Sequence, residues 1–89
     1  MHQWEIIATG RVQGVGFRYH AQALAQRCDI RGFVRNLPDG SVYILAQGAR
    51  NQLQSFCDLL KLGNGFSRVK SLSIDEMEIT KEYNDFEIK

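Results

Sequence analysis

Residues 30–48 read "IRGFVRNLPDGSVYILAQG", and this segment decides the predicted fold. It contains two strand-like runs, "IRGFVRNL" and "SVYILAQG", which are separated by Pro38, Asp39 and Gly40. Turn residues between two runs rich in apolar residues predict a β-hairpin. The remaining elements must therefore be arranged around a central hairpin.

Upstream of the hairpin, the sequence predicts one strand and one helix. The run "QWEIIA" is a short apolar strand, with Trp4, Ile6 and Ala8 on the same side. From Phe17 the period of the apolar residues changes to i, i+4, i+7 and i+11, which is one face of a helix. These residues are Phe17, Ala21, Leu24 and Cys28.

Downstream of the hairpin, a second amphipathic helix ends at Gly63, and two strands follow. The helix is marked by Leu53, Phe56, Cys57 and Leu60, and the strands are "VKSLSI" and the short "NDFEIK". The order β-α-β-β-α-β with a short extra C-terminal strand predicts an α+β, ferredoxin-like split βαβ sandwich. We expect one domain over residues 1–89, with two helices on one face of an antiparallel sheet.

The composition is that of an ordinary globular protein, with 44% hydrophobic and 24% charged residues. No run approaches the roughly 18 apolar residues of a membrane span, and no export signal is visible at the start. We therefore expect a cytoplasmic protein without a membrane partner, and a monomer as the simplest state for this size. Cys28 and Cys57 are too few for a disulfide framework, so they are either buried thiols or one bridge between helices.

The charge distribution favours a small anionic ligand over nucleic acid. The net charge is only +1, which argues against a large nucleic-acid footprint. Residues 1–50 hold six arginines and three acids, whereas residues 51–89 hold five bases and seven acids. A compact phosphate or carboxylate is therefore favoured near the first half of the chain.

The stretch "GRVQGVGFR", from Gly10 to Arg18, lies in this arginine-rich half and joins the first strand to the first helix. Such a turn directs backbone N–H groups and the positive end of the helix dipole toward one point. Glycines permit a positive φ and let a ligand approach the backbone. Arg18 can add a two-pronged donor. The spacing fits neither the Walker nor the GxGxxG pattern, and it leaves open whether the loop is an anion nest or a tight structural turn.

Asn36 ends the second strand, just before the hairpin turn. We expect the first strand to neighbour both strands around the crossover, so that Asn36 approaches the Gly10–Arg18 loop. An asparagine before a turn also often caps its own backbone. The sequence leaves both interpretations open.

Together, "GRVQGVGFR" and "GFVRNLPDGSVYILAQG" resemble the two signature blocks of the acylphosphatase family, and the resemblance continues to "YNDFEIK". It implies a ferredoxin-like fold and hydrolysis of acyl phosphates to a carboxylate and inorganic phosphate. It also implies that Arg18 binds the phosphoryl oxygens and that Asn36 holds the attacking water. The implied phosphate-binding loop consists of Gly10, Arg11, Val12, Gln13, Gly14, Val15, Gly16 and Phe17.

Two departures from the family pattern are Asp29, where glycine is usual, and Gly16, where many relatives carry a bulky residue or cysteine. Asp tolerates the left-handed conformation that a helix end requires. Gly16 makes the implied phosphate-binding loop more flexible. Neither change removes a reacting group. His20 is the rival base, but it points away from Arg18 on the helix.

Neither block contains a cluster of Asp, Glu and His, so we expect no metal and no cofactor. Two other functions remain as alternatives to the enzyme. One is a non-catalytic phosphate-sensing module, which would not need Asn36. The other is an RNA-binding ferredoxin-like domain, but Arg35 and Leu37 follow Phe33 where that motif needs aromatic residues.

Overall fold

The predicted hairpin is formed by β2 (Arg31–Asn36) and β3 (Val42–Gly48), in a computed structural model that describes every residue of the chain. Asp39 caps the turn between them. Its Oδ1 accepts hydrogen bonds from the N–H of Ser41 at 2.9 Å and from the Ser41 hydroxyl at 2.5 Å. Both hydrogen bonds lower the pKa of the Asp39 carboxyl, and the bond from the hydroxyl has the larger effect. The hairpin prediction is confirmed.

The other elements follow in the predicted order. Before the hairpin stand β1 (His2–Arg11) and α1 (Phe17–Arg27). After it come α2 (Arg50–Leu62), β4 (Arg68–Met77) and β5 (Phe86–Ile88). The α+β, ferredoxin-like split βαβ arrangement with a short C-terminal strand is therefore confirmed.

The five strands form one sheet in the order β4-β1-β3-β2-β5. Four of them pair antiparallel, as predicted, and the short extra strand β5 runs parallel to β2, a direction that the sequence did not predict. β4 ends at the end of the sheet where β2 begins. The chain crosses that end and enters β5 in the direction of β2. The buried Gln47 holds the crossing segment, because its side chain bonds the carbonyl of Lys81 and the N–H of Tyr83.

The core lies between one face of this sheet and the two helices, and it contains the apolar residues that the periodicity predicted. Those that are buried are Trp4, Ile6, Ala8, Phe17, Ala21, Leu24, Leu53, Phe56, Cys57 and Leu60. Cys28 is only partly buried, because it stands at the C-terminal end of α1. Both thiols are free, and burial raises the pKa of Cys57 to about 11. Neither helix is long and apolar enough to cross a membrane.

The first helix ends as the sequence predicts. Asp29 follows it with a φ of 57°, the only positive φ outside glycine. This is the left-handed region, which Asp enters more readily than most residues. Asp29 therefore adopts the left-handed conformation that glycine usually provides at a helix end.

The other face of the sheet carries an aromatic cluster, defined by Phe33, Tyr43 and Tyr83. The rings of Phe33 and Tyr43 stack with centroids 5.8 Å apart, and Tyr83 meets Phe33 edge-on. Cations of the chain itself lie over these rings, with Arg35 at 5.2 Å from Tyr43 and Lys89 at 4.5 Å from Phe33. The cluster is thus internally paired by cation–π contacts.

Candidate active site

The loop between β1 and α1 has the open backbone that its glycines predict. Gly14 has a φ of 73° and Gly16 a φ of 76°, both in the left-handed region. A Cβ on Gly14 would meet nothing within 4 Å, so this glycine serves backbone conformation and leaves space beside the loop.

At Gly10 the neighbouring strand leaves no space for a side chain. Its φ is 118°, and a Cβ there would collide with the backbone of β4 at Arg68 and Lys70. The register between β1 and β4 shifts at this point, between Thr9 and Gly10. Gly10 therefore lets the edge strand approach closely at the bulge that precedes the loop.

The N–H groups of residues 14–18 donate to no backbone carbonyl. The first N–H beyond them to do so is that of His20, which bonds the carbonyl of Gly16 at 3.1 Å. α1 begins after Gly16, and no side chain caps its N-terminus. Unpaired N–H groups at a helix start, with the positive end of the helix dipole, form a suitable site for an anion.

Arg18 lies in the first turn of α1 and is half-buried. It takes part in no salt bridge, because the ion pairs of the chain both involve Glu76, with His2 at 2.9 Å and with Arg50 at 3.2 Å. Arg18 is thus a cation without a carboxylate partner, and it lies in the helix turn that follows the loop with its free backbone donors. A two-pronged, charge-assisted interaction with an oxyanion is available to it.

Asn36 lies at the end of β2 on the side of the sheet that the helices cover. It pairs with Val42, which in turn pairs with Ala8, and both of these side chains are buried. Asn36 itself is exposed, and its side chain bonds no group of the hairpin, whose turn is capped by Asp39. The interpretation of Asn36 as a turn cap therefore has no support, and its amide is available for a ligand.

The segment after Asn36 is linked to the loop by a side chain, and not by the direct pairing of β1 with β2 that we expected. β1 neighbours β3 and β4, so β3 separates it from β2. Gln13 bridges the gap, because its Nε2 donates to the carbonyls of Leu37 and Ser41, both at 2.8 Å. The loop is thereby fastened to the residue that follows Asn36.

The remaining loop residues divide into buried anchors and exposed positions. Val12 and Phe17 are each 1% exposed and fasten the loop to the core. Arg11 is exposed, and it lines a cleft of about 470 Å³ together with Gly14, Val15, Gly65 and Phe66. This is the largest cleft of the protein, and neither Arg18 nor Asn36 lines it. It lies between the loop and the connection from α2 to β4.

Sequence reasoning missed Asn64, which fastens the loop from this second side. Its Nδ2 donates to the carbonyl of Val15 at 2.9 Å. In the sequence, Asn64 stands between Gly63 and Gly65, and such a stretch indicates only a turn. Nothing in the local pattern relates it to a residue 49 positions earlier.

His20, the rival base of the sequence analysis, is half-buried. Its Nε2 is enclosed without a hydrogen-bond partner. Burial lowers the pKa of the imidazole, and the backbone of Gly63 offsets part of this effect. The ring is therefore directed toward the α2–β4 connection. No three His, Cys, Asp or Glu side chains converge on a position that could hold a metal ion.

The fold and the loop define a ferredoxin-like α+β protein with a candidate anion site at the start of its first helix. The family model "Acylphosphatase" matches residues 4–88. The chain is 46% identical to an acylphosphatase of Bacillus subtilis (strain 168) over 88 residues, covering 99% of this chain and 97% of the relative. An acylphosphatase of Archaeoglobus fulgidus is 42% identical over 84 residues, covering 94% of this chain and 93% of the relative.

The solved structures agree with this relationship. A crystal structure of acylphosphatase from Bacillus subtilis superposes with a TM-score of 0.96 at 45% identity, covering 100% of this chain and 99% of the other. The chain belongs to the acylphosphatase family of enzymes.

Proposed function

We propose that this enzyme hydrolyses the carboxyl–phosphate bond of acyl phosphates by direct attack of water. One observation carries the proposal: the free N–H groups of residues 14–18 stand beside an arginine that has no carboxylate partner. Phosphoryl transfer demands mainly positioning and charge stabilisation. The backbone donors that the fold leaves unpaired provide the charge stabilisation.

In this proposal the loop and Arg18 hold the phosphoryl group. The backbone N–H groups and the start of α1 accept the negative charge of its oxygens. The planar Arg18 guanidinium spans two of these oxygens. The buried side chains of Val12 and Phe17 anchor the two ends of the loop in the core, which limits the reorganisation needed when charge shifts during the reaction.

Asn36 orients the attacking water in the same proposal. Its side-chain amide is exposed and unbonded, and Gln13 ties the neighbouring Leu37 to the loop. The water oxygen forms a bond to phosphorus while the bond from phosphorus to the acyl oxygen breaks. The carboxylate leaves with the bonding electron pair and needs no proton near neutral pH. A proton of the water passes to a phosphoryl oxygen, which gives inorganic phosphate.

No protein base is required in this scheme, and none is suitably placed. Residues 10–18 contain no acid, histidine, cysteine or lysine. His20 has its Nε2 enclosed by the protein, so that nitrogen cannot take a proton from a water in the loop.

The proposal is tested by incubating the protein with acetyl phosphate in water enriched in ¹⁸O. We expect rapid release of acetate and phosphate, with the solvent oxygen in the phosphate. If the protein binds phosphate but acetyl phosphate breaks down no faster than it does without protein, the protein would be a phosphate-sensing module. Solvent oxygen in the acetate would place the attack at the carbonyl carbon and contradict the roles given to the loop and Asn36.

A further inference from the structure

We propose that Asn64 is a positioning residue, which directs the N–H of Gly16 at the phosphoryl group. The proposal rests on the proposed function, since it assumes that the loop binds phosphate. It begins from the hydrogen bond that the Nδ2 of Asn64 donates to the carbonyl of Val15 at 2.9 Å. This contact joins the α2–β4 connection to the middle of the loop.

The effect on Gly16 follows from the geometry of one peptide unit. The carbonyl of Val15 and the N–H of Gly16 belong to the same planar amide, and the chain contains no cis peptide bond. In a trans amide these two groups point in opposite directions. A donor that holds the Val15 carbonyl on the Asn64 side therefore directs the Gly16 N–H to the other side of the loop, away from Asn64.

Asn64 is itself held rigidly enough for this role. Its Oδ1 accepts the N–H groups of Phe66 at 3.0 Å and Ser67 at 2.9 Å. Its own N–H lies 3.3 Å from the hydroxyl of Ser67. Because the groups facing Oδ1 are both donors and the Val15 carbonyl is an acceptor, the orientation of the amide is fixed by its neighbours.

The loop needs such a constraint at this point. Val15 lies between Gly14 and Gly16, which both have a positive φ, and glycine retains more backbone freedom than any other residue. Without an external contact the Val15–Gly16 amide can rotate and turn its N–H away from the ligand. Asn64 thus compensates for the backbone flexibility that Gly16 gives the loop.

The test is titration of the ¹⁵N-labelled protein with inorganic phosphate, followed residue by residue through the amide resonances. In the unaltered protein, we expect the amides of Gly14 and Gly16 to shift on saturation. The variant Asn64→Asp keeps an oxygen for the N–H groups of Phe66 and Ser67 but places a carboxylate oxygen against the Val15 carbonyl. We expect phosphate affinity to fall about 10- to 100-fold, the range for one hydrogen bond to a charged group.

Two features separate this effect from simple charge repulsion. At saturating phosphate the Gly14 shift should persist in Asn64→Asp while the Gly16 shift is lost. As the pH falls toward about 4, the protonated carboxyl regains a donor and the Gly16 shift should return, measured against the unaltered protein at the same pH. The neutral variant Asn64→Ala should also lose the Gly16 shift, and thermal unfolding establishes that each variant is folded.

Asn51→Asp is the matched control. Asn51 is an exposed asparagine in the first turn of α2, roughly 16 Å along the helix from its C-terminal end, and its substitution should leave both shifts unchanged. A Gly16 shift equal to that of the unaltered protein in folded Asn64→Asp and Asn64→Ala would overturn the proposal. Absence of any loop shift in the unaltered protein would instead contradict the proposed function, so the two failures are distinguishable.

Discussion

Replacement of Asn36 separates its proposed role as a water holder from that of a base. The side chain is exposed and bonds no group of the hairpin, whose turn is capped by Asp39. Asn36→Ala should therefore change the free energy of unfolding by no more than about 0.5 kcal/mol, as for surface substitutions away from special features. Loss of water alignment should lower kcat by about 100-fold, with little change in inhibition by phosphate.

Asn36→Asp keeps the size of the side chain but adds a charge. A carboxylate about 4 Å from a phosphoryl charge is repelled by about 4 kcal/mol at an effective dielectric constant of 20. That energy corresponds to nearly 1,000-fold in rate, and the Arg18 guanidinium offsets only part of it. The Asp variant should therefore be poor at pH 7. Its activity should recover partially as the pH falls toward the pKa of this carboxyl, which the phosphoryl charge raises above its ordinary value of about 3.9.

The assay is steady-state hydrolysis of acetyl phosphate by both variants, with inorganic phosphate as inhibitor and thermal unfolding as the check on folding. Asn84→Asp, at an exposed position before β5, is the charge control and should leave kcat unchanged. Full activity of Asn36→Asp at pH 7, or of Asn36→Ala, would refute the assignment of Asn36 as water holder. The first result would point to a protein base.

Three further predictions concern the metal, the histidine and the loop anchor. Turnover should survive a metal chelator, and an acid quench with ³²P-labelled acetyl phosphate should trap no phosphate on the chain. His20 is half-buried, and burial lowers the pKa of its imidazole, so the unfolded chain binds more protons in acid. Denaturant titrations should show stability falling as the pH drops through about 6.5, and less so in His20→Gln. Gln13→Leu removes one donor from each of the carbonyls of Leu37 and Ser41, which keep their backbone hydrogen bonds in the hairpin turn, so it should cost about 0.5–1.5 kcal/mol of stability per lost hydrogen bond and lower kcat.

The parts of the fold that local chemistry determines could be predicted from the sequence. Alternating and helical spacing located the apolar faces, and "PDG" located the turn. The glycines of the loop indicated its positive φ angles, and Asp29 indicated a left-handed helix end. Each of these features depends on residues within a few positions of one another.

The features that were missed depend on contacts between distant residues. The direction of β5 follows from a crossing segment that the buried Gln47 holds, and three residues of strand carry no directional signal. The bond from Asn64 to Val15 spans 49 positions. His20 lies beside the apolar stripe of α1, and the burial of its Nε2 depends on tertiary packing that the helical pattern does not show.

In the proposed function, Arg18 and the free amides of the loop bind the phosphoryl group. The decisive measurements are the inhibition constant of inorganic phosphate and the rate of acetyl phosphate hydrolysis in Arg18→Ala, Arg18→Lys and the control Arg27→Ala. Arg27 is the exposed arginine in the last turn of the same helix. Both Arg18 variants should lose turnover and most of their phosphate inhibition, since one ammonium cannot reproduce the two-pronged contact, while Arg27→Ala should behave as the unaltered protein. Phosphate inhibition of ordinary strength in a folded Arg18→Ala protein would contradict the claim and place the anion elsewhere.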